Sequence, residues 1–353
     1  MAGSRKKKKR TGARERDWET QGEFAFSHDR VKHRKAVGKV SDTSPQAPLP
    51  DSFEPNALVI AHSKKWAFVQ MEGEELLCKI DERLVAEDGT LLAAGDRVLV
   101  EELEGEGEDF VRGIAPRKSR LSRPAFGGGR QQVIAANVDL LVIVAAVVRP
   151  PFRTGLIDRY LISAQIGGVA PLICINKMDL ATEPPADLEA YREMGVPILL
   201  TSCKTGEGLP ELRAALRDKI SVLSGHSGVG KSSLLNALDP DLDLHTREVS
   251  ESTDRGKHTT TASRLYQLDE HTRIIDTPGI RGLGLWDVSP AEVSLFFPDL
   301  SEHAALCKFR NCTHTHEPHC SVKEAVEKGE ISQLRFDSYL RIRLSLEEEQ
   351  LRP

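Results

Sequence analysis

The segment Gly225-His226-Ser227-Gly228-Val229-Gly230-Lys231-Ser232 constrains this chain more than any other. It fits G-x-x-x-x-G-K-[ST] and has the setting that pattern needs, an apolar strand at 220–223 and a helix at 232–238. The glycines let backbone N–H groups curl around phosphate oxygens. Lys231 supplies a cation to the terminal phosphates, the Ser232 hydroxyl is a Mg²⁺ ligand, and the helix N-terminus adds a favourable dipole. This loop alone does not choose between adenine and guanine. Around it, residues 138–148 form a near-continuous apolar, β-branched run, the mark of a strand buried on both faces. Further short apolar runs follow at 171–175 and 197–201, separated by helical spacing at 156–166 and 209–218. Strands alternating with helices predict a parallel sheet covered on both faces, with ligands at the carboxyl ends of its strands.

The loops at those strand ends carry the remaining chemistry. Asn176-Lys177-Met178-Asp179 follows one strand, and Thr201-Ser202-Cys203-Lys204-Thr205-Gly206 follows the next. Guanine presents two donors on one edge, and a carboxylate such as Asp179 accepts both at once, which adenine cannot match. Lys177 lies along the ring and Asn176 braces the loops. The second segment reads as an S-A-K loop with Cys203 where alanine is usual, giving Ser202, Cys203 and Lys204 as further base contacts. Together the two loops select guanine. Residues 273–276 form an apolar strand ending in D-x-x-G, Asp276 to Gly279. Asp276 holds Mg²⁺ through water, and the Gly279 N–H senses the γ-phosphate. Between this and the P-loop, Arg255-Gly256-Lys257-His258-Thr259-Thr260-Thr261 reads as a first switch. Thr260 is the favoured threonine for Mg²⁺, with its neighbours as alternatives. The P-loop contact set then comprises Gly225, His226, Ser227, Gly228, Val229, Gly230, Lys231, Ser232 and Ser233. An ordinary GTPase runs P-loop, switch, D-x-x-G, N-K-x-D, S-A-K. Here the last two come first, so the domain is circularly permuted, and the chain leaves D-x-x-G toward the C-terminus.

Five short β-like runs between 57 and 115 suit a small closed barrel of the OB type, a frequent oligonucleotide binder. An SH3-like barrel has the same strand count. Residues 117–124 read as a basic connector. The expected division is 1–55 basic arm and linker, 56–116 barrel, 117–285 permuted GTPase domain and 286–353 C-terminal helical zinc-binding domain. Charge is unevenly spread. Residues 1–40 hold thirteen Lys/Arg against five Asp/Glu, an excess of +8 in a chain of net charge −5, so the remainder carries −13. A basic arm on an acidic body points to a polyanion such as RNA, the plainer alternative being a solubilising tail. No apolar run approaches a membrane span and no apolar stretch follows the basic start, so the reading is a cytoplasmic monomer without a membrane partner.

Six cysteines occur; Cys78, Cys174 and Cys203 sit in apolar surroundings and read as reduced core residues. Cys307-x₄-Cys312-x-His314-x₅-Cys320 supplies three thiolates and an imidazole, a closed tetrahedral set for structural Zn²⁺. His303, His316 and His319 are alternatives for the fourth ligand. With little expected core, this domain would draw much of its folding energy from the metal.

The permuted order, the R-G-K-H-T-T-T segment, the preceding barrel and the Cys/His tail together resemble the RsgA (YjeQ) family of bacterial GTPases. The resemblance spans about residues 56–345 and is most specific at 225–233, 256–261, 276–279 and the cysteine cluster. It implies GTP hydrolysis stimulated by the small (30S) ribosomal subunit, contact with 16S rRNA during late maturation, and release after hydrolysis. It also favours His314 as the fourth zinc ligand. Ile280 stands where many GTPases carry a water-positioning glutamine, and the resemblance points to His258 for that role, beside Lys231 and Thr260. Two other readings remain: a translation-factor-like GTPase on the whole ribosome, and an RNA-binding module regulated by GTP with little turnover.

Overall fold

The computed structural model describes residues 53–350 apart from 64, 82–83, 102–107, 125–130, 241–262, 278–284 and 286–287. The N-terminal barrel closes in the order β1-β2-β3-β5-β4 from Ala57–His62 (β1), Trp66–Met71 (β2), Glu74–Ile80 (β3), Arg97–Glu101 (β4) and Phe110–Ile114 (β5). All pairs are antiparallel except β3 with β5, where Lys79 meets Phe110 and Ile80 meets Val111. Strand alternation turns Val59, Ala67, Val69, Cys78, Val98, Val100 and Val111 inward, all buried. That five-strand closure is the OB arrangement, not an SH3-like one.

Residues 120–124 of the expected basic connector form a strand instead, Arg120–Pro124 (β6), paired in a hairpin with Gln131–Ala136 (β7). Its arginines and glutamines hid the pattern, but Leu121, Ile134 and Ala135 face the main core and are buried. The central sheet follows in the order β10-β9-β8-β11-β13-β12. Its strands are Leu140–Ala146 (β8), Ala170–Asn176 (β9), Ile198–Leu200 (β10), Ile220–Ser224 (β11), Arg264–Gln267 (β12) and Arg273–Asp276 (β13). All pairs are parallel except β12 with β13. Period-2 alternation splits its residues between two cores. Leu141, Ile143, Ile173, Ile175, Val222 and Ile275 pack under helix Thr154–Gly167 (α1) and short helix Glu189–Glu193 (α2). Leu140, Val142, Val144, Leu172, Leu223 and Ile274 pack under Leu209–Leu216 (α3) and Lys231–Leu238 (α4). Starting at β11, the chain runs through β12 and β13, and the sheet is completed by strands that come earlier in sequence. This is the permutation in spatial form.

The C-terminal helices are Pro298–Ala304 (α5), Ser321–Lys328 (α6) and Gln333–Gln350 (α7). They enclose a core larger than expected, including Val293, Phe297, Leu300, Val322, Phe336, Tyr339 and Ile342, together with Ile162 of α1. No helix among the described residues is long and apolar enough to cross a membrane.

Candidate guanine nucleotide and metal sites

Two pairs of strands on either side of β8, β10-β9 and β11-β13, deliver their following loops to one end of the sheet. β11 opens into the P-loop, β13 ends on Asp276, β9 ends on Asn176 and β10 runs into Thr201. The P-loop depends on backbone shapes that only glycine supplies cheaply. Gly230 has φ +98°, and a Cβ there would collide with Nδ2 of Asn176, so any side chain would push the base loop off the phosphate loop. Lys231 starts α4 and folds back, its Nζ donating to the carbonyls of Gly225 (2.8 Å) and His226 (3.1 Å). Burial lowers the Lys231 pKa, and Asp276 opposes that shift. Burial raises the Asp276 pKa, opposed by the Thr277 backbone N–H and by Lys231. A half-buried carboxylate destabilised in this way gains from a nearby cation. Ser232 and Ser233 are exposed in the first turn of α4, so a Mg²⁺ ion held by the Ser232 hydroxyl and by Asp276 fits the donor set.

The base loops are fastened to the P-loop by two side chains. Asn176, 2% exposed, donates from Nδ2 to the Val229 carbonyl at 3.0 Å. Its Oδ1 accepts from the Thr201 hydroxyl (3.4 Å) and from the Cys203 thiol (3.7 Å). Lys177 adopts φ +66°, which aims its Nζ at the carbonyls of Arg149 (2.5 Å) and Gly228 (2.6 Å). Asp179 Oδ1 accepts from the Ser202 hydroxyl at 2.7 Å. Ser202 Oγ in turn accepts from the backbone N–H of Lys204 (3.2 Å) and Thr205 (3.3 Å), which curls the loop around it. Asp179 is thereby set in one orientation, as two-point recognition of guanine requires. Thr201 was not among the expected site residues, although a fully buried hydroxyl directly after β10 and next to Ser202 marks it. Cys174 and Cys78 are buried core thiols, and Cys203 is half-buried against the α3–α4 core.

The donor atoms of Cys307, Cys312, His314 and Cys320 all lie within 4.8 Å of one another. Cys307 Sγ is 3.9 Å from Cys320 Sγ, and His314 Nδ1 is 3.6 Å and 3.4 Å from those two sulfurs. Tetrahedral zinc with ordinary bond lengths requires S–S edges of about 3.8 Å and S–N edges of about 3.5 Å. The set fits, and the imidazole it uses is that of His314. His303 turns instead to Glu330 (3.9 Å) and His316 to the Thr315 hydroxyl (3.0 Å). Glu317, invisible to ligand-spacing arguments, organises the loop: its carboxylate accepts from Thr313 N and Oγ1 (2.7 Å each) and Thr315 N (3.1 Å). Tyr339 of α7 closes the knuckle from beneath by donating to the Thr313 carbonyl at 2.9 Å.

His258, Thr259, Thr260 and Gly279 lie outside the described residues, as does the basic arm.

Comparison with known proteins agrees with this geometry. The RsgA GTPase family profile matches residues 114–286. A small ribosomal subunit biogenesis GTPase RsgA of Shewanella oneidensis is 39% identical over 334 residues, covering 91% of this chain and 92% of that protein. A small ribosomal subunit biogenesis GTPase RsgA 1 of Vibrio vulnificus is 43% identical over 268 residues, covering 73% of this chain and 75% of its own length. Among solved structures, YjeQ from Thermotoga maritima aligns with a TM-score of 0.65 at 33% identity, covering 85% of this chain and 99% of that one. The circularly permuted GTPase YloQ aligns at 0.62 and 30% identity, covering 87% and 100%. With its strands in permuted order, its P-loop and guanine loops at one sheet end and a Cys₃His knuckle beyond them, this chain belongs to the RsgA family of GTPases.

Proposed function

We propose that this chain hydrolyses GTP to GDP and phosphate during late maturation of the small ribosomal subunit, as a cytoplasmic monomer that contacts 16S rRNA. The observation that carries the nucleotide reading is the double fastening of the guanine loop to the phosphate loop through Asn176–Val229 and Lys177–Gly228. The relatives' names carry the ribosomal part. In this reading Asp179 accepts from the guanine edge, Lys177 lies along the ring, and Ser202, Cys203 and Lys204 wall the base. The P-loop N–H groups and Lys231 hold the phosphates. Mg²⁺, when bound, neutralises charge on the β- and γ-phosphate oxygens. Ser232, Asp276 and Thr260 are its proposed ligands, and the Gly279 N–H is the proposed sensor of the γ-phosphate. Zn²⁺ on Cys307, Cys312, His314 and Cys320 serves structure, because four protein ligands leave no open position.

His258 is the proposed water-positioning group, accepting a hydrogen bond from the attacking water. Ile280 has no polar atom with which to do so. Unassisted turnover is therefore expected at or below about 10⁻⁴ to 10⁻² s⁻¹. The test is turnover of GTP alone, with small subunits and with intact ribosomes. Stimulation by small subunits well above that by intact ribosomes is expected, and equal stimulation would favour a translation-factor role. His258→Ala should lose most of the stimulated rate while keeping GTP and subunit binding. Asp179→Asn should shift preference toward xanthosine triphosphate, whose base has an acceptor where guanine has a donor. An unchanged preference in competition binding removes Asp179 from the base site.

A further inference from the structure

Helix α1 has two faces with different neighbours. Its N-terminal turn follows directly on the 149–153 loop, and the Arg149 carbonyl in that loop accepts from Lys177 Nζ of the guanine motif at 2.5 Å. One turn further, Asp158 is 1% exposed and accepts from Arg335 Nη1 of α7 at 2.5 Å. Arg335 is itself 3% exposed. It grips Asp299 of α5 with Nε (3.1 Å) and Nη2 (3.2 Å), and its guanidinium lies 4.4 Å from the centre of the Phe297 ring. One buried cation thus joins carboxylates of two domains. Tyr191 of α2 completes the group from the nucleotide side, its hydroxyl reaching Asp158 Oδ1 (3.1 Å) and the Thr154 carbonyl (3.3 Å). Arg341, two turns along α7, donates to the Thr154 hydroxyl at 3.4 Å.

Charge at this depth needs a purpose beyond stability. A buried ion pair is weak evidence for net stabilisation, since apolar residues of the same volume do as well or better, and its best-attested use is fixing register. Here the register fixed is that of α7 on α1, at the turn that leads into the seat of Lys177. Energetic coupling travels through such chains of direct contact.

We propose that Asp158, Arg335 and Arg341 are positioning residues that couple the seating of the C-terminal domain to the hold on the guanine base, and so to the rate of GDP release. The route runs from α7 to the first turn of α1, through the 149–153 loop to Lys177. It is separate from the exit that follows D-x-x-G, and it rests on the guanine-binding reading above. Because coupling between sites is reciprocal, GDP must also steady the seat of α7.

The experiment follows release of N-methylanthraniloyl-GDP from the full, zinc-loaded chain in wild type, Asp158→Asn and Arg341→Gln. Release at least about threefold faster in both variants is expected, somewhat below the roughly fivefold at which typical couplings begin. The KM for GTP should rise in parallel, with kcat unchanged. In wild type, GDP should slow amide exchange along α7, and in Asp158→Asn that protection should shrink. Wild-type release rates in variants whose α7 has become exchange-labile would reduce the cluster to a domain fastener and overturn the coupling. A fall in kcat at constant KM would overturn it as well. Should Asp158→Asn fail to fold, Arg341→Gln, whose side chain stands outside the ion cluster, decides the matter alone. Failure of wild type to bind the GDP analogue would instead strike the guanine-binding reading, so the two failures are distinguishable.

Discussion

The barrel and the C-terminal domain are attached to the same nucleotide domain by different physics. The barrel joint is made of backbone contact, shared apolar core and a buried ion pair. Ala136 N donates to the Ala94 carbonyl at 2.9 Å, and Asn137 Nδ2 donates to that of Gly95 at 2.9 Å. Ala94 is buried in the same cluster as Leu141 and Ile275 of the central sheet. Gly95 has φ +89°, and a Cβ there would collide with the Ala136 carbonyl oxygen, so the two domains touch main chain to main chain. Arg117, just outside the barrel, clamps both oxygens of the fully buried Asp96 at 2.7 and 2.8 Å. At the other joint α1 contributes Ile162 to the apolar cluster, and much of the remaining contact is polar: Asp158–Arg335, Thr154–Arg341 and Arg159–Ser345. A joint of shared core and backbone has one good arrangement. A joint whose remaining contacts are mostly polar leaves more scope for relative domain motion, with the buried Asp158–Arg335 pair holding one register.

The comparison is broken most forcefully at the metal. Cys307→Ser or Cys320→Ser should drop zinc from one per chain to near zero and free the 305–320 loop. Structural zinc is worth about 10–16 kcal/mol in small zinc peptides. Here Phe297, Tyr339 and Ile342 give the helices a core of their own, so α5 to α7 should keep much of their structure. The barrel and central sheet, which share no residue with the knuckle, should be unaffected. Zinc analysis with amide exchange reads both. Full zinc content in both variants would discard the ligand set, and loss of barrel protection would mean that the joints are not independent.

Next comes the barrel joint itself. Arg117→Met leaves Asp96, 0% exposed, without its cation, a loss of about 3–5 kcal/mol. Arg341→Gln at the other joint removes an exposed partner and should cost no more than about 1 kcal/mol. Denaturant midpoints of the two variants compare the joints directly. Similar losses would erase the distinction between a welded and a seated domain.

Local chemistry was legible in the sequence, and the joints were not. The five barrel strands follow from alternation. The P-loop, guanine loops and knuckle follow from residue types at fixed spacing, and the first two do meet at one end of the sheet. Nothing local marks Asp158 and Arg335 as partners, because they are separated by 177 positions and each sits in an otherwise ordinary helix. The arginines of 117–124 make β6 look like a basic connector, while Leu121, with Ala135 of β7, does the packing. The size of the C-terminal core was also underestimated. Phe336 and Tyr339 lie one turn apart on α7, but Phe297 precedes α5, and only the fold sets its ring edge-on 6.0 Å from that of Tyr339.

The smallest predicted difference concerns acid. Each region ties down a loop with a carboxylate that accepts from backbone N–H and threonine hydroxyl. Asp88 accepts from Thr90 N (3.0 Å) and Thr90 Oγ1 (2.5 Å) and pairs with Arg117 and Arg120. Glu317 does the same with Thr313 and Thr315. Desolvation pushes both pKa values up and is outweighed, chiefly by the threonine hydrogen bonds, so both end below the ordinary carboxylate range, Glu317 at about 2 from 4.5. A folded pKa below the unfolded one gives stability that is complete above the unfolded value and fades as pH falls toward the folded one. For Glu317 that window runs from about 4.5 down to about 2. Glu317→Gln and Asp88→Asn should each cost about 1 kcal/mol near neutral pH, the net worth of a hydrogen bond. The gap between wild type and Glu317→Gln should be flat above pH 4.5 and narrow below it. Zinc loss through thiolate protonation is removed from the comparison by running both members of that pair with chelator, which leaves the carboxylate. The Asp88 pair is metal-free and should narrow in acid whether or not a chelator is present. Thermal melts across pH, with and without chelator, measure all three chains. A gap for Glu317→Gln that stays constant below pH 4.5 would show that its carboxylate is not what holds the His314 loop.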